Sequence, residues 1–189
     1  MAQSVPAPAD FPAGTIFTVG HSTLPIDDFI AMLKAYGIQR LADVRTIPRS
    51  RRNPQFNSDA LAASLADAGI EYVPMPALGG LRRARADSPN TGWRNLNFRG
   101  YADYMQTDGF DQALEELQRH GRESRIAIMC AEAVPWRCHR SLVADALNAR
   151  DIPVVEILSA TSHRPHKLTG FAQVENGRVR YPPRQPDLI

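Results

Sequence analysis

The chain has 189 residues, of which 43% are apolar and 22% charged, and a formal net charge of +2. That length fits one domain with a real core, and the composition excludes wholesale disorder. A charge this small excludes nucleic-acid binding driven by net charge alone.

Two cysteines are too few for a disulfide framework. No charged n-region precedes an apolar h-region, and no apolar run approaches membrane-spanning length, so the expectation is a cytoplasmic protein with reduced cysteines and no membrane partner. Charge is unevenly placed. Residues 40–100 carry ten Arg against five Asp or Glu, with Arg45, Arg49, Arg51 and Arg52 in one cluster and Arg82, Arg83 and Arg85 in another. They form either a basic face or ordinary solvated surface.

Residues 1–14 are Pro- and Ala-rich without periodicity and read as a flexible tail. A buried strand follows at 15–20 (TIFTVG), leaving His21 and Ser22 at its carboxyl end. Pro25 opens a helix whose Phe29, Met32, Leu33 and Tyr36 share one face. Residues 40–45 (RLADVR) read as a second strand, parallel to the first because a helix connects them. Residues 46–57 are a loop, Ser58 caps a helix carrying Leu61 and Leu65, and residues 70–73 form a third strand.

Residues 74–100 lack a period and are punctuated by Gly79, Gly80, Pro89 and Gly92, which predicts a long functional or mobile loop. A helical stretch near 101–106 leads to a helix capped by Asp108, with Phe110, Ala113, Leu114 and Leu117 inward and Gly121 at its end. Next come a strand ending on Cys130, a short loop, a helix opening with Cys138, His139 and Arg140, and the strand VVEIL. After the polar run SATSHRPHKL, Asn176-Gly177 between two alternating segments predicts a type I′ hairpin. The expected architecture is a single α/β domain over 15–168, with a mainly parallel sheet of about five strands flanked by helices, and an appended C-terminal hairpin and tail over 169–189.

Placement carries the functional argument. Four strands release polar residues at one carboxyl edge: His21 and Ser22, Asp43 and Arg45, Cys130 and Glu132, and the run bearing His163 and His166. In open α/β sheets ligands bind at that edge. Cys130 is the first candidate nucleophile, given a neighbour that lowers its pKa; the plain alternative is a small hydrophobe in the core. His21 is a candidate base or phosphate donor, and Glu132 a candidate acid or base or a helix-capping carboxylate. Asp43 and Arg45 share a strand face, so Asp43 can aim Arg45 at an anion.

Ser22, Ser50, Cys138, His139 and Arg140 complete the expected anion-binding set, with Gly79 and Gly80 letting backbone approach a ligand or simply making a turn. A reversible Cys130–Cys138 disulfide is a further reading. Zinc would need four ligands, and no CxxC or HxxxH spacing supplies them, so no metal or other cofactor is expected.

The ordered motifs GHS at 20–22, DVR at 43–45 with Pro48 and Ser50, LGG at 78–80, CAE at 130–132 and CHR at 138–140 resemble the family described as domain of unknown function 488. The resemblance spans about residues 15–165 and implies a small α/β protein with no established activity. The expected function is an enzyme acting on an anionic, phosphate-bearing nucleotide or metabolite. The alternative is a nucleic-acid-binding or redox-sensing protein using the arginine clusters.

Overall fold

The computed structural model describes residues 11–184. Residues 1–10 of the expected tail lie outside them, as do 185–189. Phe11, inside that expected tail, packs edge-on against Phe17 at 5.0 Å between ring centres.

The elements run β1 (Ile16–Gly20), α1 (Ile26–Ala35), β2 (Arg40–Asp43), α2 (Ser58–Asp67), β3 (Glu71–Pro74), α3 (Leu96–Tyr104), α4 (Asp108–Glu123), β4 (Ile126–Cys130), α5 (Arg140–Asn148), β5 (Val154–Ser159), β6 (Ser162–Pro165), β7 (Gln173–Glu175) and β8 (Arg178–Arg180). The main sheet has the order β3-β2-β4-β1-β5-β6. Strands β1 to β5 are mutually parallel, and β6 adds to β5 antiparallel at the edge. The sheet therefore has six strands. The sixth comes from the polar run after β5, whose side chains are mostly exposed and so carry no hydrophobic alternation to reveal it.

Alternation along the strands builds two cores, one on each face. Phe17, Val19, Leu41, Ala127 and Met129 pack under α1 and α2 through Phe29, Leu33, Tyr36, Leu61 and Leu65. The opposite face, with Ile126, Ile128 and Cys130, packs under α3, α4 and α5 through Tyr101, Phe110, Leu117, Leu142 and Leu147. Helix α4 runs through Gly121 to Glu123 rather than stopping there. A Cβ on Gly121 would stand 2.4 Å from Ile16 Cδ1, so this glycine lets helix and strand approach.

Two caps shift by one residue. Thr107, not Asp108, accepts the Phe110 N–H at α4, and Asn57 precedes α2 while its side chain accepts from Ser50 N instead. The long segment before α3 is tied down by Asp103, whose carboxylate accepts from Arg85 N, Ser88 Oγ and Asn90 Nδ2.

The hairpin β7–β8 turns at Asn176 and Gly177 with φ of 52° and 74°, as a type I′ turn requires. It is less detached than its sequence suggests. Val179 and Tyr181 are buried in the α3–α5 core, and the Tyr181 hydroxyl donates to Asp145 at 2.7 Å.

Candidate functional site

Strands β1 and β4 are parallel neighbours, yet β1 leads into α1 on one face and β4 into α5 on the other. Their carboxyl ends are thus a topological switch point, where a crevice opens in this class of sheet. His21 N donates to Cys130 O at 3.0 Å and Ser22 N to Ala131 O at 2.9 Å, which extends the pairing past the strand ends. Gly20 makes this possible, because a Cβ there would stand 1.9 Å from Glu132 O. Ser22 adopts φ 48°, a left-handed conformation uncommon for serine.

Residue parity then divides the predicted set between two adjoining clefts. Asp43, Arg45 and His21 fall on the α1/α2 side. Arg45 is held by Asp43 through Nε at 2.8 Å and Nη2 at 2.6 Å, and Nη2 also donates to Phe56 O at 2.8 Å. Tyr72 donates to Asp43 Oδ2 at 2.6 Å. These bonds fix the guanidinium and leave Nη1 facing His21 Nε2 at 3.4 Å. The His21 ring stacks on Phe56 at 4.1 Å, and its Nδ1 lies 2.8 Å from Ser22 O. A carbonyl only accepts, so Nδ1 carries the hydrogen and Nε2 presents its lone pair to Arg45. Burial is the main force lowering the His21 pKa, with the Arg45 and Arg140 charges adding to it. The ring is therefore a neutral acceptor at neutral pH. This first cleft, about 440 Å³, is lined by His21, Ser22, Arg45, Arg49, Ser50 and Asn53.

The cysteines, with His139, lie on the α3–α5 side. Cys130 and Cys138 are both free thiols and both buried. The sequence favours Cys130 as nucleophile because it ends the strand; the electrostatics favour Cys138. Two acceptors compete for the Cys130 proton, the Glu132 carbonyl at 3.7 Å and the Cys138 sulfur. Sharing of the Cys130 proton with Cys138 is the largest influence on both thiols. That bond, followed by burial, pushes Cys130 well up. The same bond lowers the Cys138 pKa to about 4 against the cost of burial, aided by His139 and Arg140.

Position agrees with this. Cys138 stands just before α5, whose N-terminus has no side-chain cap, where the helix dipole favours a thiolate. His139 Nε2 lies 3.0 Å from Val44 O, so Nε2 is protonated and Nδ1 faces Cys138 Sγ at 3.5 Å. The second cleft, about 370 Å³, is lined by both cysteines, His139, Gly80, Leu81 and Phe98, and it shares Arg45, Ile47, Ala131 and Glu132 with the first.

Arg140 sits beneath the β4–α5 loop. Its side chain is 1% exposed and Nη2 donates to Glu132 O at 3.0 Å, while Nε and Nη1 have no hydrogen-bond partner among the described residues. A buried guanidinium with free donors is costly to leave so.

Several expectations change role. Gly80 meets the His139 ring and Gly79 meets Thr46, so the two glycines admit protein groups, and only Gly80 lines a cleft. Ser50 lines the first cleft and also accepts from Asn53 N. Glu132 is exposed and its carboxylate accepts from Val134 N, just ahead of the turn Pro135–Arg137, without capping it. His163 and His166 leave the set for different reasons: the His163 ring packs against Phe11 and Tyr36, and antiparallel β6 carries His166 to the far end of β5, where its N–H bonds Val154 O. Phe56 and Asn53 were missed because the loop after β2 folds back over the site, and Tyr72 because it reaches Asp43 only through the pairing of β3 with β2.

No helix among the described residues is long and apolar enough to cross a membrane. No group of three or more His, Cys, Asp and Glu side chains there is arranged to hold a metal ion. Searches of curated proteins and of solved structures gave no match. The family model described as domain of unknown function DUF488 matches residues 25–147, which takes in Arg45, both glycines, both cysteines, His139 and Arg140 but begins after His21 and Ser22. With well over half of its length matched, the chain belongs to the DUF488 family.

Proposed function

We propose that this protein is a cytoplasmic enzyme that binds an anionic small molecule across the two clefts, beside Cys138 held as a thiolate. The observation that carries the reading is Arg140: a buried guanidinium, lining neither cleft itself, whose Nε and Nη1 have no hydrogen-bond partner among the described residues and whose charge acts on His21 and both cysteines. An anion is the ligand such a group calls for. Arg45, already aimed by Asp43, and Arg49 supply further positive charge along the first cleft. The more apolar second cleft, with Leu81 and Phe98, suits the organic part of the substrate. Cys138 is the nucleophile, His139 Nδ1 the polar group facing its sulfur, and neutral His21 a base beside the first cleft. Reducing surroundings keep Cys130 as the thiol donor.

The nucleic-acid alternative is weaker because much of the second arginine cluster is occupied. Arg82 lies on the Tyr104 ring at 3.6 Å and donates to Gly79 O and Ala77 O, and Arg85 pairs with Asp87.

The test is alkylation of the intact protein by iodoacetamide over a pH range, with the labelled residue read by mass spectrometry. Cys138 should label first, at a rate that hardly changes from pH 6 to 9, and inorganic phosphate should slow it. Labelling that begins only near the ordinary thiol value of about 8.5, or that phosphate leaves unchanged, overturns the proposal.

A further inference from the structure

A cavity of about 710 Å³, larger than either cleft, opens on the α5 side of β5 and β6. That volume suits a nucleotide-sized ligand, for which pockets run about 300–1,000 Å³. Its walls combine three aromatic rings, Trp93, Trp136 and Phe171, with three cations, Arg164, Lys167 and Arg184. The Arg164 guanidinium lies 5.0 Å from the Trp136 ring centre and that of Arg184 lies 4.2 Å from Phe171. Trp136 is nevertheless 59% exposed, an unusual state for a residue of its size.

The charge in the cavity is not balanced internally. Glu156 in its floor accepts from Arg164 at 2.5 Å and His166 at 2.8 Å, and His166 is shared with Asp145. Lys167 and Arg184 form no ion pair among the described residues. Trp93 Nε1 is buried and has no acceptor there either, so a donor is available to a ring nitrogen or carbonyl oxygen.

We propose that this cavity is a second binding site, for a small aromatic anion of the nucleoside monophosphate type. The base stacks on the exposed Trp136 ring, and the phosphate meets Lys167 and Arg184. Stacking on aromatic faces tolerates any base, whereas the cations demand the anion. The site does not depend on the Cys138 reading. It does adjoin that cysteine's helix, since Ser141 lines the cavity and donates to Cys138 O at 2.9 Å.

The chain has two tryptophans, and both line this cavity, so intrinsic fluorescence reports on it directly. Adenosine 5′-monophosphate titrated into the full chain should give a saturable quench. Adenosine alone and inorganic phosphate alone should bind about tenfold more weakly or less. Arg184→Ala and Lys167→Ala, both at exposed positions, should each weaken the monophosphate about tenfold. Cys138→Ser should leave the titration unchanged, which separates failure here from failure of the thiolate proposal. No saturable quench at millimolar ligand, or full affinity in both cation variants, overturns the proposal. So does affinity that climbs with oligonucleotide length and falls steeply with salt, since that describes a strand-binding surface.

Discussion

Gly80 and His139 touch in a way that leaves no room for a side chain: a Cβ on Gly80 would stand 2.6 Å from Nδ1 and 2.8 Å from Cγ of the imidazole. The ring cannot retreat freely, because Nε2 is held by Val44 O at 3.0 Å. Gly80→Ala should therefore turn the ring away from Cys138. Losing a hydrogen bond to a charged group costs about 1.5–3 kcal/mol, equivalent to a rise of about one to two units in the Cys138 pKa. The pH dependence of alkylation measures this, and an unchanged profile would mean that His139 does not support the thiolate.

Asp43 holds Arg45 with two bonds, and both are buried, with side-chain exposures of 1% and 8%. Asp43→Asn leaves a buried guanidinium without its counter-charge and should cost about 3–5 kcal/mol of stability. Tyr72→Phe removes one hydrogen bond to the same carboxylate and should cost about 1 kcal/mol. Urea denaturation distinguishes the two, and similar losses would contradict the assigned hierarchy.

The buried cluster of His166, Asp145, Glu156 and Tyr181, with Arg164 at its exposed rim, sets a pH dependence. Burial pushes the His166 imidazole down, but the bonds to Asp145 and Glu156 and their charges outweigh it and raise the pKa to about 9. The unfolded chain titrates near 6.5. Stability from this group is therefore complete below pH 6.5 and declines as pH rises through 9, by about 3 kcal/mol in all. Denaturation midpoints between pH 6 and 10 should show the decline, and His166→Gln should flatten it while lowering stability throughout.

Gly20 must lack a side chain because the Glu132 backbone occupies the place of its Cβ at 1.9 Å. Gly20→Ala should push the β4–α5 loop outward. We expect a loss of about 1–3 kcal/mol or more from overpacking against unyielding backbone. The Cys138 alkylation profile should shift with it, since that loop carries the cysteine. Wild-type stability in the variant would refute the close approach.

The sequence by itself determined the α/β layering and the motif order. Periodicity placed Phe29, Leu33, Leu117 and Leu147 inward, and turn chemistry placed Asn176 and Gly177, because these depend on interactions within a few residues. It also brought His21, Arg45, Cys130, Cys138 and Arg140 to one edge, since strand direction alone fixes which end each residue occupies.

Only the tertiary structure decided how that edge is divided. Side-chain parity in neighbouring strands puts His21 and Arg45 on one face and Cys130 on the other, and the loops then fold over both. Which sulfur keeps its proton depends on Cys130, His139 and the α5 terminus meeting around Cys138, while Phe11 and Tyr36 cover His163 and β6 carries His166 away from the edge. Burial, proton sharing and the setting of Arg140 are properties of groups distant in the chain, and only packing assembles them.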